Sequence, residues 1–135
     1  MIIQILFITM TLFANQSSDN YVDCTKIKYN EDELAYIENP RDLYSGKSKR
    51  FHGNGRVAIE NNYLNGDLNG PSYIWFNNGK IQLESQYNLG KRVGIFRSFF
   101  ENGNIESITE YGENEQLKTI TKWNESGEII FKHPK

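Results

Sequence analysis

The sequence predicts an all-β chain, an elongated antiparallel sheet of stacked β-hairpins repeating every 24 residues. Three sets of columns predict it when the chain is written in rows of 24. Glycines stack as Gly55, Gly79, Gly103 and Gly127, as Gly46, Gly70 and Gly94, and as Gly66 and Gly90. Aromatic residues stack at the same spacing: Phe51, Trp75, Phe99 and Trp123, then Tyr63, Tyr87 and Tyr111. Val57, Ile81, Ile105 and Ile129 form a β-branched column. Nine of the eleven glycines fall in these columns, so glycine placement obeys the repeat rather than individual loops.

One unit reads as one hairpin. Ser72 to Phe76, "SYIWF", is rich in strand formers. "NNGK" follows, and Asn78-Gly79 predicts a tight turn with both central residues at positive φ. "IQLESQY" then alternates, with Ile81, Leu83 and Tyr87 on one side and Gln82, Glu84 and Gln86 on the other. A lone hairpin is at best marginally stable in water. Edge-to-edge stacking pairs the backbones and advances the sheet by about 10 Å per unit.

The elements follow in order. Residues 1–14 are apolar and uncharged, with a run from Ile2 to Phe13 too short to span a bilayer. They fit a secretory signal peptide, and export is expected. Residues 15–31 read as a mobile polar linker containing Cys24, the single cysteine. Residues 32–47 read as an N-terminal cap, with a short apolar strand and a turn at Pro40. Repeats occupy about 48–71, 72–95 and 96–117. Residues 118–135 form a partial capping repeat, with Lys118 in the handover-glycine position, expected to blunt the exposed sheet edge.

Composition excludes several functions. Formal net charge is −2 and no block of five Lys or Arg occurs, so neither nucleic acid nor an anionic membrane has support. One cysteine rules out an intrachain disulfide, and with only His52 and His133 beside it no Cys-rich metal site can form. His52 is expected as a ring on the sheet rather than a base, and Glu60 and Glu84 as solvated strand residues. No constellation of acid, base and orienter is visible, so no catalytic residue, metal or cofactor is expected. Alternation places Phe51, Trp75, Phe99 and Trp123 on one face and His52, Phe76 and Phe100 on the other. The candidate binding residues are Trp75, Phe76, Phe99, Phe100, Tyr87 and Tyr111. Which face meets a partner stays open, as does the oligomeric state.

"WFNNGKIQLESQYNLGKRVGIFRSFFENGN", Trp75 to Asn104, resembles the variant MORN repeat family, specifically bacterial YwqK-type antitoxins. The resemblance covers about Leu34 to Phe131. It implies an elongated antiparallel sheet acting as an interaction module, without catalytic residues or cofactor. Some MORN proteins are linked to phospholipids; here Arg56 and Lys80 are followed by Asn104 and Glu128, so that column is not basic. The expected function is a non-enzymatic exported module, periplasmic, surface-bound or secreted, that binds a protein or a glycan through its sheet face. The alternative is a cytoplasmic antitoxin that sequesters a toxin, which requires that residues 1–14 are no export signal.

Overall fold

The computed structural model describes residues 20–134; the expected signal peptide lies outside them. The chain is all-β, and its main sheet has eleven strands. The four repeat hairpins pair β4 (Gly46–Phe51) with β5 (Val57–Leu64), β7 (Gly70–Trp75) with β8 (Ile81–Asn88), β10 (Gly94–Phe99) with β11 (Ile105–Tyr111), and β12 (Leu117–Trp123) with β13 (Ile129–His133). They lie side by side in chain order. Two-residue strands β6 (Asp67–Leu68) and β9 (Lys91–Arg92) extend the handovers, pairing with β5 and β8.

The turn chemistry differs from the sequence expectation. Asn78-Gly79 is not a two-residue turn. Gly79 donates its N–H to the Phe76 carbonyl at 2.9 Å, and Phe76 donates to Lys80 at 2.9 Å. Of the two expected positive-φ residues, only Gly79 takes one, at 88°. Asn78 acts through its side chain instead, accepting the Lys80 N–H at 2.9 Å. The turns with two positive-φ residues are the handovers, Asn65-Gly66 at 49° and 85° and Leu89-Gly90 at 47° and 78°. They link β5 to β6 and β8 to β9, and their twist suits adjoining antiparallel strands.

Each repeat hairpin also shifts register by one residue at its aromatic end: Arg50/Phe51, Ile74/Trp75, Ser98/Phe99 and Lys122/Trp123. A bulge at the same place in every unit sharpens the local twist identically. The repeated phrase therefore specifies a repeated bend.

The segment expected as a polar linker is structured from Asn20 onward. β1 (Tyr21–Asp23) pairs parallel with β4, and a 3-10 turn follows over Cys24–Lys26. Asp23 caps that turn, accepting from the Thr25 N–H at 2.8 Å. Tyr21 lies against Phe51 with ring centroids 5.7 Å apart, which gives this polar stretch its anchor.

β2 (Lys28–Tyr29) and β3 (Ala35–Tyr36) form a small second sheet belonging to the N-terminal cap. Ala35, fully buried, donates its N–H to Gly66 at 2.9 Å, and Gly66 donates to Tyr44 at 2.8 Å. The cap is thus bolted to the first handover.

Among the described residues the buried apolar set is small: Ala35, Ala58 and Tyr63. The sheet's central row buries small polar groups instead, Ser48, Ser72, Ser85 and Thr109. Ser72 Oγ donates to Asn61 Oδ1 at 2.6 Å, and Ser85 Oγ to the Ser72 carbonyl at 3.0 Å. No buried side-chain nitrogen or oxygen among the described residues lacks a partner, so this row is satisfied rather than strained.

At the far end the described sheet stops on an exposed strand; Lys135, expected with Lys118 to mark the cap, lies outside the described residues. β13 is the last strand of the sheet and all five of its residues are exposed. Its Ile129, Ile130 and Phe131 stand 59%, 63% and 49% exposed. Lys118 falls on β12, where it faces Glu110, and leaves β13 uncovered.

Candidate interaction faces

The repeat turns are tied to one another by a ladder of side chains. Arg56 Nη1 donates to the Asn78 carbonyl, and Lys80 Nζ donates to the Asn102 carbonyl at 2.8 Å. Asn104 Nδ2 donates to the Glu125 carbonyl at 2.9 Å. These three occupy one column of the 24-residue repeat. Each reaches from its own turn to the next. The fourth member, Glu128, sits on the last repeat turn, and its carboxylate accepts from Asn124 at 2.8 Å. The basic residues of this column are therefore occupied in joining repeats. His52 belongs to the same system: its Nε2 lies 2.9 Å from the Trp75 carbonyl.

The six sequence-predicted binding residues are not brought to one place. Trp75 and Phe99 close strands β7 and β10, and both are half-buried on one face. On that face Glu60 bridges Lys47 and Lys49 at 3.2 and 3.3 Å, and Glu84 meets Arg97 at 3.5 Å. These ion pairs neutralise the ground beside the aromatic row. Tyr73 packs on Trp75, with centroids 5.5 Å apart. A shallow hollow of about 510 Å³ lies beside Trp75, with Val57, Glu60 and Arg56 in its wall.

Tyr87 and Tyr111 lie on the opposite face, that of Ser72 and Ser85, because Ser85 and Tyr87 are two residues apart on β8. Phe96 stands between them, edge-on to Tyr87 at 5.6 Å and to Tyr111 at 5.0 Å. Arg92 covers the outer side of Tyr111, its guanidinium 4.7 Å from the ring centroid. Arg92 Nε also meets Glu115 Oε1 at 3.2 Å, and its backbone N–H donates to the same oxygen at 3.1 Å. Those two bonds hold the Glu115 carboxyl below its usual range, the backbone one most, and the side-chain bond raises the Arg92 guanidinium above its own.

Phe76 and Phe100 fall just past the ends of β7 and β10, and Phe100 lines a hollow with Trp123 and Ile130. Both open repeat turns, bonded through their backbones to Lys80 and Asn104. The three residues of the expected second face, His52, Phe76 and Phe100, thus stand at the first positions of the repeat turns rather than on strands. The sequence reading missed this because it continued strand alternation one residue past Trp75 and Phe99, into the turns. It also missed Phe96, Arg92 and Glu115. Arg92 and Glu115 are 23 residues apart, one short of the repeat, so column alignment cannot pair them.

At the N-terminal end the Tyr29 and Tyr63 hydroxyls lie 3.1 Å apart. Tyr63 is buried, and burial followed by its bond to Tyr29 raises its phenol well above the usual value. No group of three or more His, Cys, Asp or Glu among the described residues is placed to hold a metal ion. No helix among them is long and apolar enough to cross a membrane.

Two stretches of the chain, residues 68–89 and 92–113, match the family model described as MORN repeat variant. They begin 24 residues apart, so the matches recover the period of the glycine columns. Structurally, the first runs from Leu68 of β6 to Leu89 of the handover turn. The second runs from Arg92 of β9 past the end of β11. Each matched stretch thus begins at the last residue of a short handover strand and contains one hairpin. No curated protein and no solved structure matches the chain.

Proposed function

We propose that this protein is a non-enzymatic repeat module, exported by its N-terminal segment, that binds a protein partner through the face carrying Trp75 and Phe99. The observation that carries the reading is the half-exposed aromatic row on a neutralised face. Phe51, Trp75, Phe99 and Trp123 recur at the same place in successive hairpins, at steps of about 10 Å. Rigid aromatics ringed by paired charges give contact area with little ordering entropy. The turn ladder fixes the spacing of the rings. The opposite face is less suited, because Arg92 already covers Tyr111 there.

The matching family describes repeat modules, and that likeness supports an interaction role over catalysis. The test is capture by cross-linking from the envelope fraction of the source cell. The double variant Trp75→Ala/Phe99→Ala should lose the partner, and Tyr87→Ala/Tyr111→Ala should keep it. Loss only in the second pair would move the site to the other face. A captured glycan in place of a protein would replace the partner class. Intact mass tests export separately: a cytoplasmic product retaining residues 1–14 would favour an antitoxin-like role instead.

A further inference from the structure

The open edge of the sheet has properties that the proposed binding face does not use. β13 presents five exposed residues, with Ile129, Ile130 and Phe131 about half exposed or more. An apolar edge strand with unpaired backbone groups is a template for another strand. The opposite edge is unlike it. There β1 has only three residues and runs parallel to its neighbour, and a 3-10 turn follows at once. Among the described residues each chain therefore offers one long exposed edge strand, β13, against the three-residue β1.

The charges around β13 select what can pair with it. Glu125 and Glu128 flank its N-terminal end, and Lys132 and His133 close its C-terminal end; all four are exposed. A strand that is acidic at one end, apolar in the middle and basic at the other is complementary to itself when turned antiparallel. In the register symmetric about Ile130, Glu128 faces Lys132 of the second copy, and Ile129 faces Phe131. The two-fold repeats both contacts. The Glu128 oxygen that accepts from Asn124 is Oε2. Beside this edge a hollow of about 490 Å³ is lined by Phe100, Trp123, Glu125 and Ile130, with room for a side chain of the incoming strand.

We propose that two copies of this chain pair β13 against β13, antiparallel about a two-fold axis, to make one continuous sheet. One such edge among the described residues closes the assembly at two rather than propagating a fibre. The inference stands apart from the proposed partner face, which stays open on both copies.

The test is sedimentation equilibrium of the full chain and of two charge variants. The wild type should be a dimer. Glu128→Lys and Lys132→Glu should each weaken it by about tenfold, because each places two like-charge pairs opposite one another. Mixing the two variants should restore dimers in trans, since both contacts of the mixed pair again set a lysine against a glutamate. Misfolding cannot mimic that rescue. A wild-type monomer at every concentration, a dimer indifferent to both substitutions, or variants that fail to complement when mixed would each overturn the proposal.

Discussion

Lys80 donates its ammonium to the backbone carbonyl of Asn102 across a repeat boundary, at 2.8 Å. The bond joins two turns 22 residues apart that share no strand. It is one rung of the ladder begun by Arg56 and continued by Asn104. In a sheet whose buried set is mostly serine, threonine and alanine, such rungs carry a larger share of the coupling between hairpins. Repeat stability is a sum of unit and nearest-neighbour terms, and Lys80 belongs to the second kind. Lys80→Met should lower stability by about 0.5–1 kcal/mol, the exposed site limiting the loss. Urea denaturation with unchanged secondary structure checks it, and an unchanged midpoint would remove the ladder from the account.

Leu89 holds φ at 47°, in the left-handed region that L-residues with large side chains avoid. Its counterpart one repeat earlier is Asn65, at 49°. Leu89 is 55% exposed, so little packing compensates. Leu89→Asn should stabilise by about 1 kcal/mol. A higher thermal midpoint is the expected reading.

Gly66 and Gly127 both have positive φ, at 85° and 83°, in different surroundings. A Cβ on Gly66 would lie 2.8 Å from Leu34 Cβ and 3.1 Å from the Ala35 nitrogen, whereas nothing lies within 4 Å at Gly127. Gly127→Ala should cost about 1 kcal/mol from backbone strain alone. Gly66→Ala adds overpacking and should cost about 3 kcal/mol or more. Comparing the two unfolding curves separates the conformational role of a repeat glycine from its spatial role.

Tyr63 supplies an alkaline dependence. Its folded phenol titrates above the unfolded value of 10, because burial disfavours the phenolate. The stabilisation is complete below pH 10 and is lost as pH rises from there towards the folded value. In a spectrophotometric titration of the eight tyrosines Tyr44 is also raised by burial, but Tyr63 should ionise last, in a late step together with loss of structure at the N-terminal cap. Tyr63→Phe should abolish that late step.

Glu115 gives the acid counterpart. Its carboxyl is depressed below 4.5 by Arg92, the backbone N–H contributing most. The contribution is present above pH 4.5 and fades as pH falls through the lower folded value. Glu115→Gln should flatten the acid limb of a stability profile by lowering the neutral value towards the acid one, a small loss because the pair is exposed.

The repeat unit, its 24-residue step and its β character are legible in the residues alone, because periodic glycines and aromatics can only be satisfied by identical, stacked hairpins. So are the hairpin turns near Gly55, Gly79, Gly103 and Gly127, although the conformation expected of Asn78 was wrong. The rest depended on contacts that period and alternation do not encode. Asn65 and Gly66, not Asn78 and Gly79, form a two-residue turn because the handover must match strand twist over a shorter gap. Tyr21 to Asp23 become a strand because β4 offers them an edge and Phe51 a ring. Arg92 meets Glu115 because the connection after β11 turns differently, with Gly112 bonded to Gln116, and sets position 115 rather than 116 beside Arg92. Trp75 and Tyr87 separate to opposite faces, and Phe76 falls in the turn rather than on the strand, because a bulge and a turn interrupt alternation within a few residues. Local pattern fixes what each unit is; how units bond across the gaps between them exists only once the chain has closed on itself in three dimensions.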